Sequence, residues 1–116
     1  MRTFVIVFAL GALAACNAPA QPQDNAAARA AAAAPADPRL AELYRGACRN
    51  CHGSVETGAP LALDHREWDE RWRKSEATLL EHTIGGFNGM PAGGQCFSCT
   101  ADDYRALIRF MAGRED

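Results

Sequence analysis

The chain has no apolar run long enough to cross a bilayer, no surplus of positive charge, and no alternating stretch that reads as a β-strand. Phe4 to Leu10, the most prominent early apolar run, falls far short of a membrane span. Counted from Cys16, which leaves out Arg2, the chain carries 11 basic against 14 acidic residues, and that balance argues against nucleic acid as a partner. With no strand signal, the coarse reading is all-α. Residues 17–36 lack large apolar side chains and so have little to bury.

What is present begins with an export pattern. Met1-Arg2-Thr3 is a short basic start, and the apolar run after it leads to Leu13-Ala14-Ala15-Cys16. This reads as a signal peptide over 1–15 ending in a bacterial lipoprotein cleavage box, in which the Cys is retained and becomes a lipidated N-terminus. Two or more acyl chains on Cys16 would anchor the protein stably. A plain signal peptide with a chance Cys16 gives the same address, the periplasm-facing cell envelope. Residues 16–36, with Ala30 to Ala34 among them, are expected to form a flexible tether rich in Ala, Pro and Gln, with at most transient helix. Residues 37–116 are expected to be the single folded domain, and eighty residues is a marginal length for a self-sufficient core.

Cys48-Arg49-Asn50-Cys51-His52 carries the chemistry. Two thiols at this spacing fit thioether bonds to the vinyl groups of a haem, and on a helical turn the next residue, His52, points its imidazole at the iron. A bare C-x-x-C would also fit a redox dithiol or half of a zinc site. The following His, together with the export pattern, favours one covalent haem c, which would also fill much of the missing apolar interior. The cysteines then divide without remainder: Cys16 to lipid, Cys48 and Cys51 to haem, and Cys96 with Cys99 as a pair expected to be a disulfide in an oxidising compartment. A dithiol switch is the alternative for that pair, although no obvious thiolate-stabilising base stands near it. Thr100, where a His would be needed, excludes a second haem by the usual pattern.

Helix signals frame the motif. Asp37-Pro38 reads as a cap with proline at the first helical position, and Leu40, Leu43, Tyr44 and Ala47 recur at helical spacing into Cys48. Gly46 suits close approach by another helix or a neutral surface position. Gly58-Ala59-Pro60 marks a loop. A helix is expected over His65 to Lys74 with Asp64 as its cap, bearing Trp68 and Trp72 on one face. Ser75 should cap the next, Glu76 to Ile84, with Ala77, Leu80 and Ile84 inward and Gly85-Gly86 ending it. The last starts after Thr100, with Asp103 completing a capping box and Tyr104, Leu107, Ile108 and Met111 as the buried stripe, Phe110 flanking.

A second axial ligand must come from Met90, His65 or His82. Met90 sits in Asn88-Gly89-Met90-Pro91, where the proline favours an extended backbone and irregular structure lets a thioether turn inward. His82 lies within a helix beside Glu81, His65 opens the Trp-bearing helix, and Met111 belongs to a buried stripe. Met90 is therefore the expected ligand, with a gap-filling core Met as the plain alternative. A thioether opposite His favours ferrous iron and leaves no open position, which suits electron transfer over oxygen activation. Trp68, Trp72, Arg66 and Arg73 are further candidates for haem propionates, and the mixed charges around Arg71, Arg73 and Lys74 read as a solvated face.

Cys48 to His52, Gly58-Ala59-Pro60, Asn88-Gly89-Met90-Pro91 and Cys96-Phe97-Ser98-Cys99 together resemble a class I cytochrome c of the cytochrome c5 group, over roughly residues 40–112. The resemblance implies the small all-α class I fold, about four to five short helices around one haem. It implies His52 and Met90 as axial ligands, a Cys96–Cys99 disulfide, and Pro60 packed on the His side of the haem, where a backbone carbonyl orients the imidazole. Leu40 departs from the pattern, since class I cytochromes often place glycine there against the last helix. The expected function is single-electron shuttling, with no enzyme activity, between a dehydrogenase or cytochrome complex as donor and a terminal oxidase or reductase as acceptor. A haem-based gas or redox sensor and an electron-entry subunit of a larger respiratory enzyme are the alternatives.

Overall fold

The computed structural model describes residues 22–115, so the signal peptide, the cleavage box and Cys16 lie outside the described residues. Six α-helical segments follow in order: α1 Pro22–Ala32, α2 Pro38–Leu43, α3 Arg49–His52, α4 His65–Trp72, α5 Glu76–Gly85 and α6 Ala101–Met111. One turn of π-helix over Tyr44–Cys48 joins α2 to α3, closed by the Arg49 N–H on the Tyr44 carbonyl, so the backbone stays helical from Pro38 to His52. Such insertions cluster at functional sites, and this one delivers the chain into the C-x-x-C-H turn. Among the described residues no strand forms, and Phe87 and Met90 make an isolated bridge. The fold is the expected all-α one.

Four side chains start the helices where the sequence puts them. Asp37 accepts the Leu40 N–H, Asp64 the Arg66 N–H, and Ser75 the Thr78 N–H. Thr100 and Asp103 cap each other's backbone reciprocally. Each satisfies an N–H that the helix itself leaves unpaired.

The core forms where α6 meets the helical run through Tyr44. Leu107, Ile108, Phe110 and Met111 are buried, and the Tyr44 ring stands edge-on to Phe110 with centroids 5.0 Å apart. Leu40 does not prevent this contact: it is half-buried and packs against the same cluster. Arg39 and Asp103 add a clamp between α2 and α6, with both terminal guanidinium nitrogens on the carboxylate. Gly46 has open space where a Cβ would stand, so close packing is not its role.

Two expectations change. Residues 16–36 are not a flexible tether throughout: from Pro22 to Ala32 they are helix, with Ala26 and Ala30 buried in the same cluster as Leu61, Ala62 and Trp68. Side chains no larger than methyl let the α1 backbone come close, and the Arg49 guanidinium binds the Ala31 carbonyl at its end. In α5 the buried residue is Leu79, while Ala77 and Ile84 are exposed and Leu80 is half-buried. Leu79 and Leu80 are adjacent, so the sequence presents two apolar faces and spacing cannot choose between them.

Candidate haem site

His52 ends α3 with its side chain buried. Its Nδ1 lies 2.7 Å from the Pro60 carbonyl. A carbonyl only accepts, so Nδ1 carries the hydrogen and Nε2 keeps the lone pair a metal requires. Burial pushes the imidazole below its ordinary pKa, opposed by the Pro60 bond, and the ring stays neutral at pH 7, as a ligand must.

The loop that presents this carbonyl is held from several sides. Thr57 Oγ1 donates to the Cys51 carbonyl at 2.8 Å, the Ala62 N–H to the His52 carbonyl at 2.8 Å, and the Trp68 indole to the Leu61 carbonyl at 2.8 Å. Leu63 adopts φ 63°, a left-handed backbone uncommon for a large side chain, and its N–H reaches the Met111 carbonyl at 2.7 Å. The loop thus sits against both α4 and α6, with the Pro60 carbonyl turned to His52.

Cys48 and Cys51 are free thiols, the first half-buried and the second exposed. Burial pushes the Cys48 thiol up to about 11. A reactive redox dithiol is favoured by the opposite shift. Among the described residues no group of three or more His, Cys, Asp or Glu converges to hold a metal ion. Two free thiols one helical turn before a neutral, oriented imidazole fit covalent haem.

Met90 is half-buried and closes a two-residue turn. It exchanges both backbone hydrogen bonds with Phe87, at 2.9 and 3.0 Å, and Asn88 takes φ 51° between them. The thioether therefore projects from a fixed turn and not from the irregular segment expected. Pro91 follows and leads into a short turn over Ala92–Gln95 that is kinked at Gly93 and Gly94. Cys96 and Cys99 are joined by a disulfide, as expected.

The other ligand candidates have different occupations. His65 is exposed, pairs with Asp69 at 3.6 Å, and lies against Gly113. His82 stacks flat on Phe87, with centroids 3.8 Å apart. Of the propionate candidates, Trp68 spends its N–H on Leu61, Arg66 binds Asp64, and Trp72 lies under the Arg114 guanidinium. The sequence reading missed Tyr104, whose hydroxyl donates to the Cys96 carbonyl at 2.8 Å. Its place in the stripe of α6 signals a core residue and carries no hint of that bond.

Comparison with known proteins agrees with this geometry. Residues 35–111 match the family described as Cytochrome C oxidase, cbb3-type, subunit III. The chain is 37% identical over 68 residues to cytochrome c5 of Ectopseudomonas mendocina, covering 57% of this chain and 78% of that protein. It is 34% identical over 68 residues to cytochrome c5 of Azotobacter vinelandii, covering 57% of this chain and 82% of the relative. Cytochrome c-555 of Prosthecochloris aestuarii is 31% identical over 55 residues, covering 47% of this chain and 56% of that protein. With a neutral buried imidazole beside two free thiols, and with these relatives, the chain belongs to the class I c-type cytochromes of the cytochrome c5 family, electron-transfer proteins with covalently bound haem c.

Proposed function

We propose that this cytochrome is a monohaem electron shuttle of the bacterial envelope, facing the periplasm and anchored by lipid on Cys16. In this reading Cys48 and Cys51 would hold the haem through two thioethers, and His52 and Met90 would ligate its iron. The observation that carries it is the His52 Nδ1 to Pro60 carbonyl bond, which fixes the tautomer and aims a free Nε2 lone pair. The haem supplies reversible one-electron chemistry when bound. The chain's own part is to keep His52 neutral, to present the Met90 thioether from a closed turn, and to use both as ligands so that no position is left for a substrate. As a soft ligand, the Met90 thioether would favour the ferrous state.

Donor and acceptor in this reading are other redox proteins, a dehydrogenase or cytochrome complex on one side and a terminal oxidase or reductase on the other. The match to a family described as an oxidase subunit supports a second reading, in which the domain is the electron-entry subunit of a larger respiratory enzyme. Purification in mild detergent separates the two: a shuttle emerges alone, and a subunit emerges with its enzyme.

Absorption spectra of the oxidised and reduced holoprotein test the ligand set. A sharp reduced α-band with a weak far-red band in the oxidised form is expected, together with sluggish carbon monoxide binding. Fast, tight carbon monoxide binding at neutral pH would overturn the carrier reading in favour of a gas sensor, and absence of the far-red band would remove Met90 as ligand. Mass spectrometry of the mature chain tests the lipid on Cys16.

A further inference from the structure

Tyr104 stands in the first turn of α6, half-buried, and its hydroxyl reaches backwards along the chain. It donates to the Cys96 carbonyl at 2.8 Å and also closes over Gly93: a Cβ added to Gly93 would lie 2.7 Å from Tyr104 Oη. At the next residue, Gly94, an added Cβ would lie 3.2 Å from Met90 Cε. Both glycines have left-handed backbone, φ 65° and 55°. The phenol oxygen thus lies against Gly93 and the thioether methyl against the adjacent Gly94.

A methionine side chain has three soft rotors and little preference of its own, so its sulfur sits where the neighbours leave it. The neighbour here is Gly94, which with Gly93 before it makes the most pliable backbone available. The turn keeps two bonds of its own, Gly94 N–H to the Pro91 carbonyl and Cys96 N–H to the Gly93 carbonyl, each 2.9 Å. Both lie within the turn, so neither fixes it relative to α6. Tyr104 does.

We propose that Tyr104 is a positioning residue for Met90, holding the Gly93-Gly94 turn against the thioether through its bond to the Cys96 carbonyl. This rests on the reading of Met90 as axial ligand. Losing the hydroxyl leaves that carbonyl only the Cys99 N–H at 3.2 Å, three residues on, and lets the glycine pair shift, so Met90 spends more time displaced. The displaced fraction should rise about fivefold, the change in population that one such hydrogen bond sustains.

The test uses wild-type, Tyr104→Phe and Met90→Ala holoproteins, read by the far-red band of the oxidised form and by titration with imidazole, which competes with the thioether. Tyr104→Phe is expected to keep its helix content, weaken the band, and bind imidazole about fivefold more tightly. A band and an imidazole affinity equal to wild type would overturn the inference, even if the melting temperature fell. A wild type without the band, binding imidazole like Met90→Ala, would sink the ligand reading itself and the inference with it. Gly93→Ala gives an independent arm, because its methyl would collide with Tyr104 Oη. Its effect on imidazole affinity should shrink in the Tyr104→Phe background, and an undiminished effect there would also overturn the proposal.

Discussion

Arg39 holds Asp103 by both carboxylate oxygens, tying the first turn of α2 to the first turn of α6 across 64 residues of sequence. The same carboxylate caps α6 through the Thr100 N–H at 2.9 Å. The Arg39 bonds, and after them the Thr100 N–H, hold Asp103 well below the usual carboxylate range. A depressed pKa means that the unfolded chain binds the proton more readily. The stabilisation is therefore full above the ordinary carboxylate value of 3.8 and is lost as pH falls through the folded value. Melts of the holoprotein followed by circular dichroism should show the wild type losing stability between about pH 5 and pH 2 more steeply than Asp103→Asn, which starts lower at pH 7. Parallel curves for the two proteins would remove Asp103 as the source of the acid sensitivity.

Tyr44 presents the opposite case. Its ring is 1% exposed and packs on Phe110, yet its hydroxyl has no hydrogen-bond partner among the described residues. Burial pushes the phenol up to about 12. Tyr44→Phe keeps the ring contact and removes a buried polar group with nothing to bond. The variant should be more stable by about 1 kcal/mol, raising the melting temperature by several degrees. A lower melting temperature would reveal a partner for the hydroxyl.

How much of this was legible depends on how local the cause is. Asp37, Asp64, Ser75 and Thr100 each bond a backbone N–H two or three residues on, so residue type and spacing suffice to find them. The C-x-x-C-H motif and the Pro60 carbonyl are also near neighbours, eight residues separating His52 from Pro60. Arg39 with Asp103 joins elements 64 residues apart, whose packing no local pattern encodes, while Tyr104 with Cys96 spans only eight residues and is hidden because a tyrosine in an apolar stripe gives no sign of where its hydroxyl bonds. The surroundings of Met90 make it a candidate in the sequence, but the bridged turn that holds it is not legible there, because Asn88-Gly89 closes on Phe87 only once α5 has ended beside it. The docking of α1 was missed for a different reason: alanines score as weakly apolar, and their value here is close approach and not area.

That docking makes its own prediction. Ala30 is fully buried in the interface between α1 and the domain, and its carbonyl would lie 3.5 Å from a Cβ added to Gly53. Ala30→Glu forces a carboxylate into that seam, at a cost of several kcal/mol unless the helix lifts off. The helix should therefore detach. Limited proteolysis should cut between residues 32 and 37 about tenfold faster than in wild type, with the haem spectrum unchanged. A spectrum that changes along with the cleavage rate would mean that α1 supports the His52 side directly, through Arg49 and its bond to the Ala31 carbonyl.

The Cys96–Cys99 bridge closes a loop of four residues. In the chain-entropy account a loop that short contributes about 2 kcal/mol, since little freedom is removed from the unfolded chain. Cys96→Ser combined with Cys99→Ser should therefore lower the melting temperature by roughly 10 °C and leave the protein folded at room temperature. The bridge lies between two more local restraints, the Tyr104 bond to the Cys96 carbonyl and the Thr100–Asp103 capping box. Both survive in the double variant, so the turn after Met90 should keep its place and the far-red band its strength. Loss of the band on removal of the sulfurs, with the tyrosine intact, would make the disulfide and not Tyr104 the restraint on Met90. A bridge whose only role is stability has no effect on the ligand, and the pair of readouts separates the two roles.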